Sequence, residues 1–128
     1  MNMKTILLGV FTFVSVALSA QTEVDFLNAI GKKDVPSAKS LLASSVTFCI
    51  NDKQKKISST NVVNELTSFV EDIDIKNFKI LHNGKSADKT SSYRVARLKT
   101  NEKTYRIFAY AEVENGTSKV VEVRIDEM

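Results

Sequence analysis

From Ile75 onward the chain repeats with a period of two, and this limits its fold more than any other feature. Phe78, Ile80 and His82 alternate with Lys79, Leu81 and Asn83. After a polar stretch from Gly84 to Thr90, Tyr93, Val95 and Arg97 alternate with Arg94, Ala96 and Leu98. Arg106, Phe108 and Tyr110 alternate with Tyr105, Ile107 and Ala109, and Val121, Val123 and Ile125 with Val120, Glu122 and Arg124. Successive side chains of a strand point to opposite faces, so this pattern predicts four strands in a row. Asn101-Glu102 reads as one turn. Asn115-Gly116 is the strongest hairpin signal, because a type I′ turn needs positive φ at both central residues.

Before Ile75 the spacing is helical. Val24, Leu27 and Ile30 recur with Phe26 beside them, and Gly31 suits a C-terminal cap. Asp34 precedes Val35-Pro36, where proline is welcome in a first turn, and Val35, Ala38, Leu41 and Leu42 form a second stripe. Val46 to Ile50 reads as a short strand, Asn51-Asp52-Lys53 as a turn and Gln54 to Ile57 as its partner strand. Ser59 or Thr60 caps a third helix with the stripe Val62, Val63, Leu66, Phe69 and Val70, ended by Asp72 to Asp74. Helices first and a meander last predict an α+β domain, with N-terminal helices packed on one face of an antiparallel sheet.

The first twenty residues read as an address. Lys4 is followed by an apolar run from Thr5 to Leu18 and then by Ser19-Ala20-Gln21, the three-part pattern of a secretory signal peptide. The run is short for a bilayer span. Ala20 is the better last residue of the leader, with Ala17-Leu18-Ser19 a second reading. Residues 21–128 then form a single domain, exported to the periplasm or secreted, with no membrane segment after cleavage. The formal charge of the whole chain is +3, and loss of Lys4 lowers it by one. That balance makes no case for nucleic acid. A single cysteine excludes an internal disulfide framework, and Cys49, inside an apolar run, is expected to be buried.

Two-residue turns also predict a register. A turn at Asn101-Glu102 sets Arg97 opposite Arg106, Val95 opposite Phe108 and Tyr93 opposite Tyr110. A turn at Asn115-Gly116 sets Tyr110 opposite Val121, Phe108 opposite Val123 and Arg106 opposite Ile125. Tyr93, Val95, Phe108, Tyr110, Val121, Val123 and Ile125 then share one face. Holding most of the large apolar groups, it is expected to meet the helices.

Phe78-Lys79-Ile80-Leu81-His82-Asn83-Gly84, Thr104-Tyr105-Arg106-Ile107-Phe108 and Val123-Arg124-Ile125-Asp126 resemble the strand and turn segments of a family of small secreted bacterial proteins, domain of unknown function 4783. That family is placed in the nuclear transport factor two-like, or cystatin-like, superfamily. The resemblance covers most of the chain after the leader. It implies a cone of three helices laid across a strongly curved sheet. In the wider superfamily such cones often hold a small-molecule pocket, and some members dimerise through the outer sheet face. The family brings no catalytic residues with it.

On the face expected to meet the helices, Arg97 and Arg106 form an anion clamp on a functional reading, since each guanidinium can hold a carboxylate or phosphate by two bonds. On a bland reading they pair with Glu127, Asp72 or Asp74, or face open water. His82 beside Tyr93 is the one acid–base candidate, against an exposed or merely hydrogen-bonded histidine. Tyr93, Arg97, Arg106, Phe108, Tyr110 and His82 are thus the candidate ligand-binding residues. Arg94, Glu122 and Arg124 fall on the other face as an ion network. Leu98, Tyr105, Ile107 and Val120 share that face and are the candidate interface for a homodimer or partner, against a half-solvated sheet. The sequence offers no metal site, no cofactor motif and no catalytic set. The leading expectation is a non-catalytic exported module that binds a small ligand in the cone or a protein partner on the sheet. The alternatives are a small acid–base enzyme of isomerase, dehydratase or hydrolase type using the same pocket, and a purely structural secreted domain.

Overall fold

The computed structural model describes residues 22–85 and 90–128, the side chains of residues 82–85 and 114 excepted. The leader expected over residues 1–20 lies outside the described residues. Helix α1 (Thr22–Gly31) is followed by a 3-10 helix (Val35–Leu41), strands β1 (Leu42–Ile50) and β2 (Lys53–Ser58), helix α2 (Ser59–Glu71), and strands β3 (Asn77–Lys85), β4 (Ser91–Lys99), β5 (Thr104–Glu114) and β6 (Thr117–Glu127). The strands form one sheet in the order β2-β1-β6-β5-β4-β3. The helices pack on one side of this curved sheet, giving the expected α+β cone. Neighbouring strands are antiparallel except β1 and β6, which run parallel. That pair joins the N-terminal hairpin to the meander.

Local chemistry sets the boundaries. Pro36 stands at the start of the second helix, which is a 3-10 turn and not the α-helix its stripe suggested. Asn51 and Asp52 have φ of 51° and 64°, closing the β1–β2 hairpin. Asn115 and Gly116 have φ of 52° and 78°, as their hairpin requires. Ser58, one residue before the expected cap, starts α2: its hydroxyl oxygen accepts the Asn61 N–H at 3.2 Å. Thr100 tightens the β4–β5 turn, its Oγ1 accepting from Glu102 N and Lys103 N.

The β4–β5 register is the expected one, Arg97 opposite Arg106, Val95 opposite Phe108 and Tyr93 opposite Tyr110. The β5–β6 register is not. From the turn it begins as expected, with Glu114 opposite Thr117 and Ala111 opposite Val120. It then shifts, because Tyr110 faces Glu122. Val121 is the extra residue of a β-bulge, and every residue after it changes face. Val123 therefore lies opposite Ala109 and Ile125 opposite Ile107, all four fully buried.

This reverses the expected faces of β4 and β5, whereas Val123 and Ile125 lie beneath the helices as expected. Ala96, Leu98, Tyr105, Ile107, Ala109, Ala111, Val120, Val123 and Ile125 lie under the helices with Phe26, Leu27, Ile30, Phe48 and Leu66. Tyr93, Val95, Arg97, Arg106, Phe108 and Tyr110 stand on the outer face. A second bulge, at Leu81, lies between the pairs Ile80–Ala96 and His82–Val95, and Phe78 and Ile80 pack onto the core. Leu98, Tyr105, Ile107 and Val120 are core residues and form no exposed interface.

Candidate functional site

Antiparallel pairing arranges the outer face in rows across the strands, because directly paired residues share a face. One row runs Lys79, Arg97, Arg106 and Asp126. The next runs Val95, Phe108, Arg124, Cys49 and Gln54. A third runs Tyr93, Tyr110, Glu122, Thr47 and Lys56. Cys49 is free and buried, as expected.

Three aromatic rings stand together at the centre. Tyr93 and Phe108 have centroids 5.6 Å apart and tilted by 33°, and Phe108 and Tyr110 are stacked at 6.5 Å. Each ring keeps solvent contact, and Tyr93 is 37% exposed. Two depressions flank the ring row. One of about 330 Å³ is lined by Leu81, Val95, Ala96, Arg97, Arg106 and Met128. The other, of about 380 Å³, is lined by Tyr110, Lys56, Thr47, Glu112, Val121, Glu122 and the Ala43–Ser45 segment.

The arginine row has no internal answer to its charge. Lys79, Arg97 and Arg106 are exposed and stand side by side on three adjacent strands, where like charges repel. The carboxylates expected to neutralise the arginines are placed elsewhere. Glu127 pairs with Lys103 at 3.6 Å and Asp74 with Lys76 at 2.9 Å. Asp72 and Asp74 line a separate depression with Tyr105 and the Thr100–Lys103 turn. Asp126 is in register with Arg106 but forms no ion pair with it. Among the described residues, neither Arg97 nor Arg106 is ion-paired.

The expected ion network is also rearranged. Arg124 and Glu122 pair at 3.7 Å on the outer face. Arg94 pairs in register with buried Ala109 and belongs to the inner layer, where its Nε is buried without a hydrogen-bond partner. Glu23 of α1 is 1% exposed, and its Oε1 is equally unpartnered. No local pattern pointed to this, because Val24, Leu27 and Ile30 already make an apolar stripe. In the structure Glu23, Phe26, Leu27 and Ile30 share the buried side. His82 pairs with Val95 along the backbone, and its side chain lies outside the described residues. Tyr93, its proposed partner, stands on the outer face and lines no cone interior. Among the described residues no three His, Cys, Asp or Glu side chains gather as a metal site.

The model of a domain of unknown function, DUF4783, matches residues 24–126. None of the curated proteins compared with the chain matches it. A DUF4783 family protein from Bacteroides fragilis YCH46 superposes with a TM-score of 0.72 at 20% identity, over 80% of this chain and 94% of that one. Another from Bacteroides ovatus superposes with a TM-score of 0.73 at 14% identity, over 80% and 92%. A steroid delta-isomerase from Pseudomonas aeruginosa shares the fold at a TM-score of 0.64 and 15% identity, over 86% and 79%. At these identities the likeness is one of fold, which does not fix function.

Proposed function

The chain belongs to the DUF4783 family of domains of unknown function, and we propose that it works as a non-catalytic exported module that binds an acidic protein partner on the outer face of its sheet. The observation that supports this reading is the ring row Tyr93–Phe108–Tyr110, solvent-facing and set among Arg97, Arg106 and Arg124. Tyrosine, phenylalanine and arginine are the side chains enriched where protein partners anchor. Charge selects the partner. On this face Lys56, Lys79, Arg97, Lys99, Arg106 and Arg124 outnumber Glu112, Glu122 and Asp126. Two copies meeting face to face would oppose like charges, which favours an acidic partner over a homodimer.

Export rests on the leader pattern of residues 1–20. No described helix is long and apolar enough to cross a membrane. N-terminal sequencing of protein from the periplasmic fraction should read from Gln21, and a start at Met1 would remove this part of the reading.

Fluorescence anisotropy with labelled poly-L-glutamate tests the surface. Binding should be saturable at low salt, fall steeply as salt is added, and be absent for poly-L-lysine. Tyr93→Ala with Tyr110→Ala should weaken it by about tenfold. Ring variants that bind as tightly as the parent protein would overturn the proposal.

A further inference from the structure

The depression beside the ring row differs in chemistry from the rest of the face. Arg97 and Arg106, directly opposite one another, supply its polar wall, and Lys79 stands opposite Arg97 one strand further on. Leu81, Val95 and Met128 supply an apolar wall. Leu81 is there because the β3 bulge gives it no partner on β4, and it is exposed. The volume of about 330 Å³ is that of a small-molecule site.

We propose that this depression is a binding site for a monocarboxylate carried on a short aliphatic body. Two adjacent guanidiniums without a carboxylate partner match a planar carboxylate, which each can hold by two N–H···O bonds. A bound anion would also relieve the repulsion along Lys79, Arg97 and Arg106. The apolar wall distinguishes an aliphatic acid from a bare oxyanion, since Leu81, Val95 and Met128 offer contact only to a ligand with a hydrocarbon part. The site rests on the outer face being the working surface, and the two readings fail separately. Octanoate binding does not use the outer edge of the ring row, and poly-L-glutamate carries no aliphatic chain to seat against Leu81.

The probes are octanoate, octanamide, acetate and inorganic phosphate, titrated calorimetrically into the purified protein at constant ionic strength. One equivalent of octanoate should bind, and octanamide and acetate should each bind at least about tenfold more weakly. Arg97→Gln with Arg106→Gln should abolish octanoate binding, and Leu81→Ser should weaken it while leaving acetate unchanged. Both arginines are exposed, so these variants should fold, and loss of the like-charge contact should leave the thermal midpoint equal or higher. Octanoate should raise that midpoint in the parent protein and not in the double variant. Phosphate or acetate binding as tightly as octanoate would overturn the aliphatic assignment. Octanoate binding that survives loss of both arginines, or no saturable binding at all, would overturn the site.

Discussion

A β-carbon placed on Gly31 would lie 2.7 Å from Cδ2 of the Phe78 ring and 2.8 Å from its Cγ. The glycine had suggested a left-handed helix cap. It is the last residue of α1, and what it supplies is clearance, which lets the helix settle onto the first residues of β3. Gly31→Ala should therefore destabilise the protein by about 1–2 kcal/mol, overpacking outweighing the gain in helix propensity. Urea unfolding measures this. Phe78→Ala in the same chain should remove most of the alanine's cost, so that a double-mutant cycle shows strong coupling.

Ser58 holds the first turn of α2 through its hydroxyl oxygen. Ser58→Ala should cost about 1 kcal/mol, and Ser58→Asp should cost much less because it restores the acceptor at the positive end of the helix. Equal unfolding midpoints for Ser58→Ala and the parent protein would show that the cap contributes nothing.

Asp74 carries the pH prediction. The hydrogen bond from Lys76, and then its charge, hold the Asp74 carboxyl below the usual value of 3.8, with Lys33 adding to the pull against a small opposing effect of burial. The unfolded chain binds this proton at higher pH than the folded one, so the contribution is fully present above the usual value and is lost as pH falls through the lowered one. Asp74→Asn should lower the urea midpoint by a small amount near neutrality, and the difference from the parent protein should close as pH falls below about 4. The carboxylate is on the surface, so about 0.5 M salt should shrink the difference between the two proteins.

Most of the element order was legible because each signal was local. Asn115-Gly116 and Asn51-Asp52 fixed their hairpins through backbone φ alone, and the turn after Lys99 fixed the pairing of Arg97 with Arg106. The faces were not legible, because both Ile107 and Phe108 begin good apolar alternations and only the pairing with β6 decides between them. That pairing turns on Val121, and nothing in Lys119-Val120-Val121-Glu122 marks the bulge. The arginine pair survived the reversal, since Arg97 and Arg106 stay neighbours on whichever face they occupy. The buried Glu23 was hidden for the opposite reason: a stripe that looked complete without it left no place for a carboxylate in the core.

The reversal of faces makes a sharp prediction about adjacent residues. Ile107 is fully buried beneath the helices and Phe108 is only partly covered on the outer face. Ile107→Ala should cost about 2–5 kcal/mol through lost burial and the cavity left behind. Phe108→Ala, though it removes a larger side chain, should cost less than about 2 kcal/mol, chiefly its two ring contacts. Deleting Val121 tests the cause. Without the extra residue the register running from the Asn115-Gly116 turn would continue unbroken, with Glu122 still opposite Tyr110 and Val123 still opposite Ala109, so the bulge is lost and both faces are kept. No charge is carried into the buried layer, so the deletion variant should still unfold in one cooperative thermal transition, with Ile107 still costlier to remove than Phe108. A deletion variant that loses its thermal transition, or in which Phe108 becomes the costlier of the two to remove, would show that Val121 is not the extra residue of the bulge.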